Sequence, residues 1–418
     1  MSLPEKGVDA AKPTQTRNRS FVFISLVMGM VFGLLLVEIG LRIVGYSSPE
    51  FYAADESRGY ALIPGMSGTY SKEGRSYVSI NSDGFRDVEH AVEKSPDTFR
   101  IAVVGDSYVE AFQVAQSESF TNYVRNETDN CGFAREKRVE MLSFGVSGYS
   151  TAQELVMLRQ KVWKYSPDVV ILMMTTNNDI TDNSRYFKKV PIPYFRVDGE
   201  NISIDESFRQ DKVFIARNSK LGRLGVWLKN HLRIVQAFGA VSTGIKYKYQ
   251  AWKNRKPDPI PPSADPSTPR ENTPAADVGV DNQIYRTPID DNWRNAWSVT
   301  EAIIVEMKKE VAEKGAKFVV VTASNGVQVL PDVAHRAAFA KYIGVDDLLY
   351  PDRRIAEFCL SRSIPVVTLA PLLGEYAARE NVFLHGFEGN IGYGHWNQRG
   401  HKVAGETIGM RLCEGIVN

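Results

Sequence analysis

The chain alternates short apolar runs with amphipathic stretches. Phe99–Val104, Val139–Phe144, Asp168–Met174, Lys317–Thr322 and Ile364–Leu369 are short, β-branched and aliphatic, the signature of strands buried on both faces. Helical spacing follows each in turn: from about Tyr108, over Thr151–Tyr165, over Trp293–Glu313 ahead of the fourth run, over Asp352–Ser361 ahead of the fifth, and from Gln398 to Leu412 at the end. Strands alternating with helices of this length predict a parallel sheet covered on both faces, an α/β fold.

Three segments break the alternation. Residues 20–46 open on SFVFISLVMGMVFGLLLV without a charge and reach Tyr46 with only Glu38 and Arg42 interrupting. About 20 apolar residues span a bilayer, so this segment is expected to be a transmembrane anchor and not a cleaved signal peptide. Residues 1–19 carry Lys6, Lys12, Arg17 and Arg19, whereas Glu50, Asp55 and Glu56 follow the span. The positive-inside rule then puts a cytoplasmic tail before the anchor and the bulk of the protein outside, a single-pass arrangement in a bacterial inner membrane with a periplasmic domain. Glu38 and Arg42, four apart, are expected to neutralise each other. Gly29 and Gly33 form a G-x-x-x-G pattern, found at dimer faces and common in membrane helices generally.

Residues 47–97 read as a loop-rich extension, with a short strand at Tyr77–Ile80 and a turn at Asn81–Gly84. Residues 184–290 read as an insertion that divides the α/β domain into 98–183 and 291–418. Between Lys212 and Lys256 it holds eleven Lys and Arg and no Asp or Glu, with Leu221, Leu224, Leu228, Leu232 and Val235 at helical spacing. This is a basic amphipathic helix or pair of helices, fit for an anionic glycan, for an anionic bilayer surface, or for a cap with a solvated basic face. Pro-rich sequence from Lys256 to Pro274 reads as a linker.

Composition changes this picture little. Hydrophobic residues are 43% and charged residues 24% of 418, with a net charge of +1, which gives no reason to expect nucleic acid. Cys131, Cys359 and Cys413 are too few for a disulfide framework; one pair could bridge, and the sequence does not say which. No metal-binding or P-loop signature occurs, so no cofactor is expected.

The candidate chemistry lies at the carboxyl ends of the strands. Gly105-Asp106-Ser107 places a serine hydroxyl where the first strand turns into a helix, beside amides able to hold an oxyanion. Gly148, in Gly145-Val146-Ser147-Gly148, allows a second amide to approach a substrate. Asn178, in Asn177-Asn178-Asp179, offers a side-chain donor. His395, in His395-Trp396-Asn397, supplies a base from the loop before the last helix. His401 reads as a residue that caps or packs that helix.

These blocks resemble the SGNH hydrolases, the GDSL-type esterase/lipase family, over roughly residues 99–180 and 316–412. The resemblance implies a three-layer αβα sandwich on a five-stranded, flavodoxin-like parallel sheet. It implies Ser107 as nucleophile, His395 as base, and the Ser107 amide, Gly148 amide and Asn178 side chain as oxyanion hole, with Asp106 and Asp179 in support. The family's triad acid stands three residues before the histidine, where this chain has Gly392. Three options follow: the Gly392 carbonyl holds the ring in a Ser–His dyad, the favoured reading; a remote carboxylate folds in; or catalysis is weak or absent. The function implied is an anchored, exported serine esterase or acyltransferase acting on an ester substrate. That substrate is an acylated glycan, with O-acetyl first among the acyl groups, and the partners are the bilayer through residues 20–46 and polysaccharide-export or modification proteins. A catalytically degenerate polysaccharide-binding scaffold and a lipid-directed esterase are the alternatives.

Overall fold

A computed structural model describes residues 19–199, 201–253 and 280–417. The basic tail before Arg19 and the Pro-rich linker from Lys256 to Pro274 lie outside the described residues. The chain divides into two units, one of residues 1–48 with 228–256 and one of residues 49–227 with 257–418.

In the first unit, α1 (Arg19–Ile43) is exposed along its length, and Phe21–Ile43 is long and apolar enough to cross a membrane. It contacts α8 (Arg233–Lys253). Glu38 does more than neutralise Arg42. Its carboxylate accepts Arg42 Nε at 2.8 Å and also the backbone amides of Arg233 and Ile234 at 3.1 and 2.9 Å. Those are the first two residues of α8, so Glu38 caps a helix that no local pattern links to it.

The second unit holds the sheet. β5 (Thr98–Gly105), β6 (Arg138–Gly145), β7 (Val169–Thr175), β10 (Lys317–Ala323) and β11 (Val366–Thr368) run parallel in the order β11-β10-β7-β5-β6. Counted along the sheet's own strands this is 2-1-3-4-5, the flavodoxin-like order, with its switch point between β5 and β7. Successive residues feed opposite cores, as a period of two requires. Ala102, Val104 and Leu172 meet α4 (Thr151–Gln160), α9 (Asp291–Glu313) and α11 (Tyr350–Ser361) on one face. Ile101, Val103 and Ile171 meet α3 (Phe120–Asn130), α12 (Leu369–Glu380) and α13 (Gln398–Cys413) on the other. This is the expected αβα sandwich. The helix expected from Tyr108 is only one turn, α2 (Ser107–Glu110), because Ala111 takes a left-handed conformation (φ 54°) and ends it. Three longer helices have no counterpart in the sequence reading: α3, α10 (Val333–Ile343) and α12.

The extension is more ordered than its loop-rich sequence suggests. β1 (Tyr52–Asp55) pairs with β2 (Gly59–Leu62), and β3 (Ser67–Tyr70) with β4 (Ser76–Ser79), both antiparallel. The alternation at Tyr77–Ile80 marks β4, one residue off; the other three strands carry too few residues for a pattern to register. Phe51, Leu62, Val78, Ile80 and Phe85 enter the main core with Phe112 and Phe144. Buried Arg86 donates to the carbonyls of Ala111 and, at 2.5 Å, Val114, fastening the extension to the turn after Ser107. The insertion contributes a hairpin of β8 (Tyr194–Asp198) and β9 (Asn201–Asp205), then the helices α6 (Lys212–Asn218) and α7 (Lys220–His231) ahead of α8.

Cys131, at the end of α3, is bonded to Cys413, at the end of α13, leaving Cys359 buried and free. The bridge ties down the far end of the helix that begins three residues after His395. Changing both partners to serine is expected to lower unfolding stability by about 3 kcal/mol, read from the denaturant midpoint of the full chain in detergent. An unchanged midpoint would show that α3 and α13 hold by packing alone.

Candidate active site

Ser107 opens α2 at the carboxyl end of β5, beside the switch point where open α/β sheets place their ligands. His395 lies on the loop between α12 and α13. Asn397 caps α13 by accepting the Gly400 amide at 3.0 Å, and Trp396 is fully buried against Tyr108, ring centres 4.7 Å apart. With a buried anchor on one side and a cap just beyond it, the imidazole has a fixed place. Its Nε2 is 2.8 Å from Ser107 Oγ.

The other ring nitrogen meets Glu73, on the loop between β3 and β4. Glu73 Oε2 is 2.5 Å from His395 Nδ1, and Oε1 accepts the His395 backbone amide at 2.8 Å. A carboxylate accepts only, so the proton belongs on Nδ1 and leaves Nε2 free to receive the serine proton. Gly394 permits this approach: a Cβ there would collide with the Glu73 carboxylate, and φ is +79°. The expected Gly392 contact is therefore corrected. The Gly392 amide donates to the His385 carbonyl at 2.9 Å, and the ring is held by a side chain 322 residues away in sequence. Of the three options, the remote carboxylate is the one observed.

The pair polarises itself. Burial disfavours the imidazolium, but the hydrogen bond and charge of Glu73 outweigh it, and the His395 pKa lies above its ordinary value. Burial likewise works against the Glu73 carboxylate, and His395 reverses that, holding its pKa below the usual range. Neighbouring His385 is the opposite case. Burial pulls it down to about 4, so it stays neutral, and Nδ1–H donates to the Gly394 carbonyl at 2.6 Å. Its Nε2 lies 2.9 Å from Ser324 Oγ, which also accepts Trp396 Nε1 at 3.0 Å. This closed network braces the loop that carries His395. His401 packs beneath, stacked on Phe120, with burial taking its pKa down to about 3. Tyr108 hydrogen-bonds the Ser324 carbonyl at 3.1 Å, and its ring centre lies 5.3 Å from that of His395.

Gly148 lies on the turn after β6 with φ +73°, and its amide has no acceptor among the described residues. Three side chains clamp this turn. Glu110 Oε1 accepts the Ser147 amide at 3.0 Å, Tyr60 Oη donates to the Ser147 carbonyl at 2.9 Å, and Lys188 Nζ donates to the Gly148 carbonyl at 3.0 Å. Glu110 also accepts from Tyr52 Oη at 2.8 Å, and burial pushes its pKa up to about 7 against these bonds. Asn178 is at the start of α5 (Asn178–Thr181), with Nδ2 donating to Asp106 Oδ2 at 2.6 Å and its second N–H uncommitted. Asp106 is buried beneath Ser107 and caps α2 through the Tyr108 amide at 3.0 Å. Asp179 turns away from Ser107: it accepts the Thr175 amide at 2.6 Å and Thr151 Oγ1 at 3.1 Å, tying β7 to α4. Burial raises the pKa of both aspartates. Among the described residues no cluster of side chains fit for a metal occurs.

No family model matches this chain, and no curated protein sequence matches it. Solved structures do. An acetyl xylan esterase, AlAXEase, is 11% identical with a TM-score of 0.37, over 74% of this chain and 98% of its own. A catalytic mutant of the acetylxylan esterase Axe2 from Geobacillus stearothermophilus is 9% identical with a TM-score of 0.35, over 77% and 96%. The lipase/acylhydrolase from Enterococcus faecalis is 11% identical with a TM-score of 0.35, over 76% and 96%.

Proposed function

We propose that the chain is a membrane-anchored, exported serine esterase or acyltransferase that takes the acyl group, O-acetyl first, from a carbohydrate ester through an acyl-enzyme. The observation that carries this reading is the continuous relay Glu73–His395–Ser107 at the switch point of the sheet, with distances of 2.5 and 2.8 Å. Ser107 Oγ attacks the ester carbonyl as its proton passes to His395 Nε2. Glu73 stabilises the imidazolium that results. The amides of Ser107 and Gly148 and the free N–H of Asn178 receive the oxyanion. As the tetrahedral species collapses, His395 returns the proton to the departing sugar oxygen and the C–O bond breaks. Water or another sugar hydroxyl, deprotonated by the same imidazole, then takes the acyl group from Ser107.

Export is supported by α1 and by the Cys131–Cys413 bond, since disulfides persist mainly in oxidising compartments. The test is a fluorophosphonate probe on the full chain in detergent. Ser107 Oγ is expected to displace fluoride and give a phosphonylated Ser107 peptide by mass spectrometry, with none in Ser107→Ala. An unlabelled native serine would overturn the reading.

A further inference from the structure

Beside His395 lies a cavity of about 830 Å³ built mostly from chain outside the five-stranded core. The extension contributes Tyr52, Tyr60, Tyr70 and Lys72 to its wall, and α6 contributes Arg217. Ser147, on the clamped turn, and Glu110, which holds that turn, line it together with His395. A ligand in this cavity is therefore next to both the base and the oxyanion loop.

The charges in the cavity are unequally engaged. Glu110 is held by Tyr52 and the Ser147 amide, and Glu50, the other carboxylate on the wall, also has a partner. Lys72 and Arg217 are exposed and form no ion pair or hydrogen bond among the described residues. Two uncommitted cations from separate segments, with the rings of Tyr52, Tyr60 and Tyr70 on the same wall, suit a ligand that is anionic and presents C–H faces. Sugar rings present such faces, and a uronic acid adds the carboxylate. The helix that supplies Arg217 opens the stretch from Lys212 to Lys256, which holds eleven basic residues and no acidic one and favours approach of a polyanion.

We propose that this cavity is a glycan subsite selective for an acidic sugar, its carboxylate engaged by Lys72 and Arg217, so that the ester processed at Ser107 belongs to a uronate-containing polysaccharide. The inference rests on the serine esterase reading above and adds the substrate class. Phospholipid is the competing anionic source, and the test separates the two.

The full chain in detergent is assayed for kcat/KM on O-acetylated polygalacturonate, O-acetylated dextran and p-nitrophenyl acetate. Acidic polymer is expected to be preferred over neutral polymer by about tenfold, with the preference shrinking as salt rises. Arg217→Gln and Lys72→Gln are each expected to reduce the ratio of acidic to neutral turnover severalfold, through KM. The ratio cancels any disturbance of Glu73 by its altered neighbour, and Arg217 is distant from Glu73 in sequence. In parallel, binding of an oligogalacturonide to Ser107→Ala is measured without chemistry, with anionic phospholipid vesicles as competitor. Weaker binding on removal of either cation supports the subsite. Equal polymer turnover, a ratio unmoved by both substitutions, or displacement of the oligosaccharide by vesicles at lower concentration than by polygalacturonate overturns it. Absence of p-nitrophenyl acetate turnover together with intact oligogalacturonide binding would count against the esterase reading and leave the subsite standing.

Discussion

Glu73→Gln is expected to lower kcat on p-nitrophenyl acetate by about 10⁴-fold. The reason is specific to this geometry. Glu73 Oε1 accepts the His395 backbone amide at 2.8 Å, so in the glutamine the carbonyl oxygen takes that place and the NH₂ faces Nδ1. The imidazole must then carry its proton on Nε2, the nitrogen 2.8 Å from Ser107 Oγ, where it cannot accept the serine proton. A pH profile distinguishes this from simple loosening. In the native protein Glu73 raises the His395 pKa, so activity falls with acid along a limb lying above the ordinary imidazole value of about 6.5. Without the carboxylate only the charges of Asp106 and Glu110 oppose burial, and the limb is expected to move to lower pH even as the plateau collapses. A variant with native kcat and an unmoved limb would return the site to a dyad.

Ser107→Ala is expected to remove more, roughly 10⁶-fold in kcat, because the acyl-enzyme route is lost altogether. What remains would come from the oxyanion donors, which depend on the Gly148 turn and not on the hydroxyl. That turn is held by Glu110, Tyr60 and Lys188, none of which bonds to the Ser107 side chain. The variant should therefore fold and melt like the native protein while losing hydrolysis, measured by acetate release and thermal unfolding in parallel. Retained hydrolysis would mean that another nucleophile acts.

The sheet was legible in the sequence because most of its strands are long enough for burial to show as apolar runs, as in Val169–Thr175, and the three-residue β11 sits within the apolar run Ile364–Leu369. Ser107, Gly148 and Asn178 stood out because each follows such a run, and His395 because it lies in a glycine-rich loop just before the last helix; the structure brings them to one edge. The acid was not legible in that way. Glu73 lies in a four-residue-strand hairpin, with a lysine before it and a glycine after it, and nothing in its neighbourhood differs from a solvated turn. The only hint was negative, the lack of a carboxylate at 392. Glu38 was read only in part for the same reason: its pairing with Arg42 is as expected, but that i+4 partner supplied a sufficient local explanation, and its second role depends on Arg233 and Ile234. Patterns of period two or 3.6 report local structure, and contacts across hundreds of residues leave no such trace.

The three groups of the relay come from the two ends of the chain. Ser107 and His395 are separated by 288 residues and Glu73 and His395 by 322, so no fragment lacking either end can hold the relay together. A piece starting at Thr98 would keep Ser107, Gly148, Asn178 and His395 and lack Glu73. A chain emerging amino-terminus first would present acid and nucleophile long before the base. Closing loops this long carries an entropic cost that must be met before the contacts reward it. On the proposed reading, chemical competence is a certificate of completion: the hydroxyl is expected to stay inert in nascent, truncated or half-unfolded molecules and to become reactive only when both ends of the polypeptide have met.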